Sequence, residues 1–114
     1  INVIGYTISV KEMKIMLREI LQNQGATIKK RKIVNYKTGY QVAVESQEII
    51  VESVFQAMRI VRNLTSCGVW VEKGKIYIDS NTKRVKTKKE ALKLARENNQ
   101  ISIWDWKNRR AITV

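Results

Sequence analysis

The sequence predicts an α+β fold of repeated hairpin–helix–strand units, with a largely antiparallel sheet and three helices packed on one face. The first observation is a helix-capping pattern, Ser or Thr followed three positions later by Glu or Gln. It occurs at residues 9–12, 53–56 and 87–90, each time at the start of an apolar run. In this pattern the hydroxyl accepts a hydrogen bond from the backbone amide three residues on, so each copy predicts the start of a helix.

The second observation is an internal repeat. Residues 51–75 and 85–109 align without a gap, which places Trp70 over Trp104. The third observation is that the connections between predicted strands are too short for parallel crossovers, so the strands should pair antiparallel. Together these observations predict a single compact domain of three related units, at about residues 1–37, 38–72 and 73–114.

The first unit is predicted to contain a strand, a helix and a second strand. Residues 1–8 are rich in apolar residues and predict a short strand. From Ser9, apolar residues recur at helical spacing until Gly25, which favours the left-handed conformation that ends helices. Residues 26–36 are rich in β-branched and basic residues, which predicts one continuous strand.

The second and third units are predicted to combine short strands with one capped helix each. β-branched or alternating runs predict the strands, and polar or glycine-containing pairs between them predict turns. The two helices begin at Ser53 and Thr87. The predicted strands are residues 40–44, 48–52, 69–72, 75–79, 83–86, 101–106 and 110–114.

The protein is strongly basic, and its charge is unevenly distributed. Its 114 residues include 22 Lys or Arg and 10 Asp or Glu, which gives a net charge of +12. Residues 1–37 and 73–114 carry +6 and +8, whereas residues 38–72 carry −2. An excess of positive charge attracts polyanions, so the first and third units are predicted to contact a nucleic acid.

The first basic cluster lies in the predicted strand and turn that end the first unit. Its members are Lys29, Lys30, Arg31, Lys32 and Lys37. Because cations would occupy both faces of this strand, we expect it to lie at a sheet edge or to project from the body. Its role is either phosphate contact or protection of the edge, since lysine blunts edge-to-edge aggregation.

The second basic cluster surrounds the start of the third helix. Its members are Lys83, Arg84, Lys86, Lys88, Lys89, Lys93 and Arg96. A helix N-terminus attracts anions and disfavours cations. Lysines gathered there are unfavourable unless a bound anion offsets their charge, so they indicate a phosphate-binding site. The alternative is an ordinary solvated face on a lysine-rich protein.

Aromatic side chains lie close to these cations in the sequence. Trp70 and Trp104 match across the repeat, which predicts equivalent core positions for both. Trp106 has a charged residue at its equivalent position, so its ring is the better candidate for exposure and for stacking on a nucleobase. The cations that follow it are Lys107, Arg109 and Arg110.

The sequence offers little for catalysis. Histidine is absent, which removes the commonest general base and the commonest metal ligand. Cys67 is the single cysteine and precedes an apolar strand, so we expect a buried, unreactive thiol in a reducing cytosol. Asp79 and Asp105 are the only aspartates, which is a weak basis for a metal site. We therefore predict no enzymatic activity, no cofactor and no bound metal.

Residues 40–64 and 69–97 each look like a small hairpin sheet that leads through a Ser or Thr cap into a helix. This arrangement resembles the DNA-binding domains of the APETALA2/ethylene-response type and the amino-terminal arm-binding domains of phage and transposon integrases. In those families a three-stranded sheet lies in the major groove and the helix packs behind it. Residues 87–91, of sequence TKKEA, also resemble a pattern of short bacterial strand–hairpin–helix–strand domains. The resemblance implies DNA contacts from Lys73, Lys75, Tyr77, Lys83 and Arg84.

We therefore expect a small, basic, cytoplasmic nucleic-acid-binding protein of phage or mobile-element type, with duplex DNA favoured over RNA. No membrane association is predicted, because no run of about 18 apolar residues is present. One alternative is a protein-interaction module, such as a phage-encoded inhibitor of a host nucleic-acid-binding or defence factor. A third possibility is a virion or ribonucleoprotein component whose basic ends become ordered only within an assembly. The nucleic-acid-binding hypothesis predicts that the protein binds mixed-sequence DNA, whereas the inhibitor hypothesis predicts that it does not.

Overall fold

The computed structural model describes residues 25–114 and, before them, Lys11, Ile15, Arg18 and Gln22. These four residues have helical backbone conformation and exposed side chains. The predicted strand at residues 1–8 lies outside the described residues, as does most of the first predicted helix.

The described chain contains nine strands and two helices. The strands are β1 (Gly25–Lys29), β2 (Lys32–Val34), β3 (Tyr40–Ala43), β4 (Glu48–Val51), β5 (Ser66–Glu72), β6 (Lys75–Asp79), β7 (Thr82–Val85), β8 (Ser102–Asp105) and β9 (Arg110–Thr113). The helices are α1 (Val54–Val61) and α2 (Lys88–Glu97). Neither described helix is both long and apolar enough to cross a membrane.

The strands form two sheets, and every strand pair is antiparallel. Sheet 1 has the order β2-β1-β5-β6-β4, and sheet 2 has the order β7-β3-β8-β9. Most of the buried apolar residues that the structure describes form two clusters, one joining α1 to sheet 1 and the other joining α2 to sheet 2. The α+β class and the antiparallel pairing are therefore confirmed.

The prediction of three helices on one face of a single sheet is wrong for the described residues. They contain two helices, and each covers its own sheet. The physical reason is that each helix buries its apolar stripe against the strands nearest to it: Met58 and Val61 of α1 on sheet 1, and Ala91 and Ala95 of α2 on sheet 2. The stripes are readable from local spacing, but the division of the strands between two sheets is not.

The internal repeat is visible in the helix caps. The Ser53 hydroxyl accepts a hydrogen bond from the Gln56 amide at 3.1 Å, and the Thr87 hydroxyl accepts one from the Glu90 amide at 3.2 Å. Both caps have the extended backbone that is typical of the residue preceding a helix. The capping pattern therefore located both described helix starts to within one residue.

The repeat extends to strand register but not to strand order. Val69 pairs with Ile78, and Ile103 pairs with Ile112 at the aligned positions, so β5–β6 and β8–β9 are equivalent hairpins. The strand that precedes each helix differs, because β4 pairs with β6 whereas β7 pairs with β3. The predicted unit boundary between residues 72 and 73 falls at the turn of the hairpin β5–β6.

The basic segment at residues 26–36 is a hairpin rather than one continuous strand. Lys30 and Arg31 have φ angles of 48° and 66°, which is the left-handed conformation of a two-residue hairpin turn. Residues 28 and 33 are separated by an odd number of positions, so a continuous strand would place them on opposite faces. In the hairpin Ile28 pairs with Ile33, so both contact the core beneath α1.

Candidate nucleic-acid interface

Three basic segments meet at one end of sheet 2. Tyr40, which begins β3, pairs with Val85 at the end of β7 and with Asp105 at the end of β8. Asp105 in turn pairs with Arg110 at the start of β9. The residues that flank these strand ends therefore lie together, and we call the exposed cations among them the cationic end. Its members are Lys37, Lys86, Lys88, Lys89, Lys107, Arg109 and Arg110.

The turn between β8 and β9 is held by Asp105. Its carboxylate accepts hydrogen bonds from the Lys107 amide at 3.1 Å, the Asn108 amide at 3.3 Å and the Asn108 side-chain nitrogen at 2.8 Å. The hydrogen bond from the Asn108 side chain is the largest cause that lowers the pKa of Asp105. Asp105 is 3% exposed and its carboxylate stabilises the turn, while the positive charge of nearby Arg110 also helps to lower its pKa.

Arg84 organises the loop between β2 and β3. Its Nε and Nη2 atoms donate to the Thr38 carbonyl at 3.0 and 2.8 Å, and its guanidinium lies 4.7 Å from the centre of the Tyr36 ring. These contacts use the Nε and Nη2 donors of the guanidinium. Arg84 therefore positions the loop that carries Lys37, and its direct contact with DNA stays a prediction.

Trp106 is buried, so the prediction of an exposed stacking ring is wrong. It is 4% exposed, and its indole nitrogen donates to the Gln41 side-chain oxygen at 3.0 Å. The Gln41 amide donates to the Thr82 hydroxyl at 3.0 Å, which lies 3.2 Å from the Ser66 hydroxyl of sheet 1. These four side chains form a polar chain that joins the two sheets. Sequence could not reveal this burial, because the partners lie on distant strands.

The hairpin with Lys29 and Lys32 lies away from the cationic end. Lys29 pairs with Ser66, whose hydroxyl contacts Thr82 at the start of β7. Lys86 directly follows the opposite end of β7. At about 3.3 Å per residue along an extended strand, Lys86 lies about 13 Å from Thr82. The predicted cluster of Lys29, Lys30, Arg31, Lys32 and Lys37 is therefore divided, because Lys37 alone belongs to the cationic end.

The five residues implied by the resemblance lie on two different sheets. Lys73, Lys75 and Tyr77 belong to the hairpin β5–β6 of sheet 1, at the end opposite the turn at Lys30. Lys83 and Arg84 lie on β7 of sheet 2. Lys83 is exposed on that edge strand, whereas Arg84 is half-buried.

The exposed face of α2 continues the cationic end. Ala91 and Ala95 are fully buried against sheet 2, which leaves Lys89 and Lys93 on the opposite, exposed side of the helix. Lys88 and Lys89 occupy the first turn, where the helix dipole disfavours positive charge by a few tenths of a kcal/mol per residue. A bound anion at this position would remove that penalty.

A cleft between the two sheets was not anticipated from the sequence. It has a volume of about 820 Å³, and both sheets contribute to its walls. Trp70 and Tyr77 stack on the sheet 1 side, with ring centres 5.4 Å apart and an angle of 11° between the rings. Trp104 lines the opposite wall. Trp70 and Trp104 therefore occupy equivalent places, but both are half-buried at the cleft rather than in the core.

The cleft also contains acidic side chains. Glu48 and Asp79 are cross-strand neighbours on β4 and β6, and Glu72 lies at the end of β5. Burial, together with the nearby charge of Glu48, raises the pKa of Asp79 to about 6. Period-two alternation along β6 was the one sequence signal that placed Tyr77 and Asp79 on a common face, but it could not show what faced them.

The predicted burial of Cys67 is confirmed. Its side chain is fully buried beneath α1. Burial, with a smaller contribution from Asp79, raises its pKa to about 12, so the nucleophilic thiolate is scarce at neutral pH. Within the described ranges, no group of three Cys, Asp or Glu side chains is arranged to hold a metal ion.

Comparisons with known proteins identify no similar protein. A scan against protein-family models, a search of curated proteins and a search of solved structures each return no match.

Proposed function

We propose that the cationic end of sheet 2 binds the phosphate backbone of a nucleic acid, with duplex DNA favoured over RNA. The observation that carries the proposal is the meeting of three basic segments, at residue 37, residues 86–89 and residues 107–110. None of these segments contains an acidic residue.

The charges at the cationic end are available to a ligand. Lys37, Lys86 and Lys107 are exposed, and none of the three has an ion-pair partner among the described residues. Asp105, the carboxylate nearest to the turn, is buried and hydrogen-bonded to that turn. Unpaired surface cations bind phosphates by releasing the counterions condensed on the nucleic acid.

The first turn of α2 supports the same proposal. The helix dipole and the amides of Lys88 and Lys89 attract anions, whereas the Glu90 amide is already bonded to the Thr87 hydroxyl. The two lysines add positive charge to this turn, and Glu90 adds one negative charge. Two lysines at this position are unfavourable for the isolated helix, so a bound phosphate would stabilise both the lysines and the helix terminus.

The salt dependence of DNA binding tests the proposal. A mixed-sequence duplex labelled with a fluorophore is titrated with the full chain at several salt concentrations, and the anisotropy is measured. If about six phosphates are neutralised, the logarithm of the association constant should fall with the logarithm of salt concentration with a slope of roughly −5. A slope near zero would reject phosphate binding.

A matched pair of double variants locates the interface. The first variant replaces Lys86 and Lys107 by glutamine and removes two positive charges from the cationic end. The second variant replaces Lys73 and Lys75 by glutamine and removes two positive charges from the hairpin β5–β6 of sheet 1. The first variant should reduce the steepness of the salt slope by about 2, whereas the second should leave it near the wild-type value. Equal effects would mean that binding depends on net charge and not on this surface.

Two further arms separate the remaining possibilities. An RNA duplex of the same length is expected to bind more weakly than DNA, and tighter RNA binding would reverse the preference. Absence of binding to either duplex at physiological salt would contradict the proposal and favour the protein-interaction module.

A further inference from the structure

The cleft between the sheets has the size and the walls of a ligand site. Its volume of about 820 Å³ lies within the range of small-molecule sites in proteins, roughly 300–1,000 Å³. Trp70 and Tyr77 present a stacked aromatic surface from sheet 1, and Trp104 contributes a third ring from sheet 2. Aromatic faces carry negative electrostatic potential and attract cations.

The charged residues that line the cleft are mainly acidic, although the molecule as a whole is basic. The acidic residues among its described lining are Glu48, Glu72 and Asp79, and the single basic one is Arg109. No hydrogen bond or ion pair reaches the Asp79 carboxylate within the described part of the chain. Although the protein has a net charge of +12, the cleft is therefore a place where a positively charged ligand would be attracted.

The same molecule already uses aromatic rings to hold guanidinium groups. Arg84 lies 4.7 Å from the centre of the Tyr36 ring, and Arg109 lies 5.9 Å from the centre of the Trp106 ring. Both distances are within the range of cation–π attraction. The rings of Trp70 and Tyr77 pair with each other and have no cation above them among the described residues.

We propose that this cleft binds an organic cation, a guanidinium or ammonium group that lies against Trp70 and Tyr77 and pairs with the carboxylate of Asp79. The group is carried either by a peptide side chain or by a small polyamine. Arg109 borders both this cleft and the phosphate-binding surface, but the residues proposed to contact the organic cation are not members of the cationic end. A polyanion would be repelled by the carboxylates that line the cleft.

Calorimetric titration of the full chain with three probes tests the site. The probes are the tripeptide Gly-Arg-Gly with blocked termini, spermidine, and blocked Gly-Glu-Gly as the anionic control. At least one cationic probe is expected to bind saturably at or below about 1 mM, with quenching of tryptophan fluorescence. Tighter binding of the arginine tripeptide indicates a peptide ligand, and tighter binding of spermidine indicates a polyamine.

Two single variants distinguish the cleft from general electrostatic attraction. Asp79→Asn removes the carboxylate in the cleft, and Glu97→Gln removes an equal charge from the exposed surface of α2. The first should weaken binding of the cationic probe about tenfold or more, and the second should leave it unchanged. The proposal is overturned if neither cation saturates by about 10 mM, if the anionic tripeptide binds equally well, or if both variants weaken binding alike.

Discussion

Replacing Asp79 by asparagine should make the protein more stable at neutral pH and leave its stability nearly unchanged in acid. The pKa of Asp79 is raised from 3.8 to about 6, mainly because burial in the cleft disfavours the charged form. A carboxyl group with a raised pKa binds its proton more tightly in the folded state. The protonated Asp79 therefore makes its full contribution to the free energy of unfolding below about pH 3.8. That contribution is lost as the pH rises through about 6, where the folded protein must ionise the buried carboxyl group.

The size of the effect follows from the shift. Each pKa unit corresponds to about 1.4 kcal/mol, so a shift of roughly two units sets an upper limit of about 3 kcal/mol. The side chain is partly exposed, and solvent screening reduces this to about 1–2 kcal/mol. At about pH 7.5, Asp79→Asn should raise the free energy of unfolding by this amount, because the asparagine needs no ionisation.

Urea denaturation followed by tryptophan fluorescence, at about pH 7.5 and about pH 4, measures the effect. The control is Asp105→Asn, since hydrogen bonds from Asn108 lower the pKa of Asp105 and its ionised form stabilises the fold. That substitution should reduce stability at neutral pH, opposite in sign to the change at Asp79. The reasoning fails if Asp79→Asn gives no gain at neutral pH, or gives the same gain at both pH values.

Two further substitutions test the contacts that assemble the molecule. Gln41→Leu leaves the Trp106 indole nitrogen without its acceptor and removes one of the two hydrogen-bond partners of the Thr82 hydroxyl, which should lower the free energy of unfolding by about 2–4 kcal/mol in urea titration. A loss below about 1 kcal/mol would mean that the polar chain does not stabilise the packing of the sheets. Gly39→Ala should lower the melting temperature clearly more than Gly74→Ala, although both residues have positive φ, at 90° and 76°. A Cβ at Gly39 would lie 2.9 Å from a backbone oxygen of β7, whereas one at Gly74 meets nothing within 4 Å; equal losses would contradict this packing.

Local features of the fold were predictable because they depend on neighbouring residues. Ser53 and Thr87 marked both described helices, since a cap is recognised from the residues of a single turn. The equivalence of Trp70 and Trp104 followed from the aligned sequences and holds in the hairpin register. The turn at Lys30 and Arg31 was missed, because neither residue is typical of a left-handed hairpin turn.

The candidate site was predictable only in part. The basic segments were evident from composition, but the cationic end arises because Tyr40 pairs with both Val85 and Asp105. The cleft was missed altogether, since its two walls come from different sheets. Charge in a sequence indicates the class of partner, whereas the shape of a binding surface depends on which strands become neighbours.

By itself, the sequence determined the α+β class, the starts of the described helices, the antiparallel hairpins and the excess of positive charge. Tertiary structure alone decided that β7 pairs with β3 rather than with β9, that Trp106 is buried, and that aromatic rings from both sheets and acidic side chains of sheet 1 line one cleft. The physical reason is the range of the interactions. Caps, turns and apolar spacing act over a few residues, whereas strand order and burial result from contacts between residues far apart in the chain.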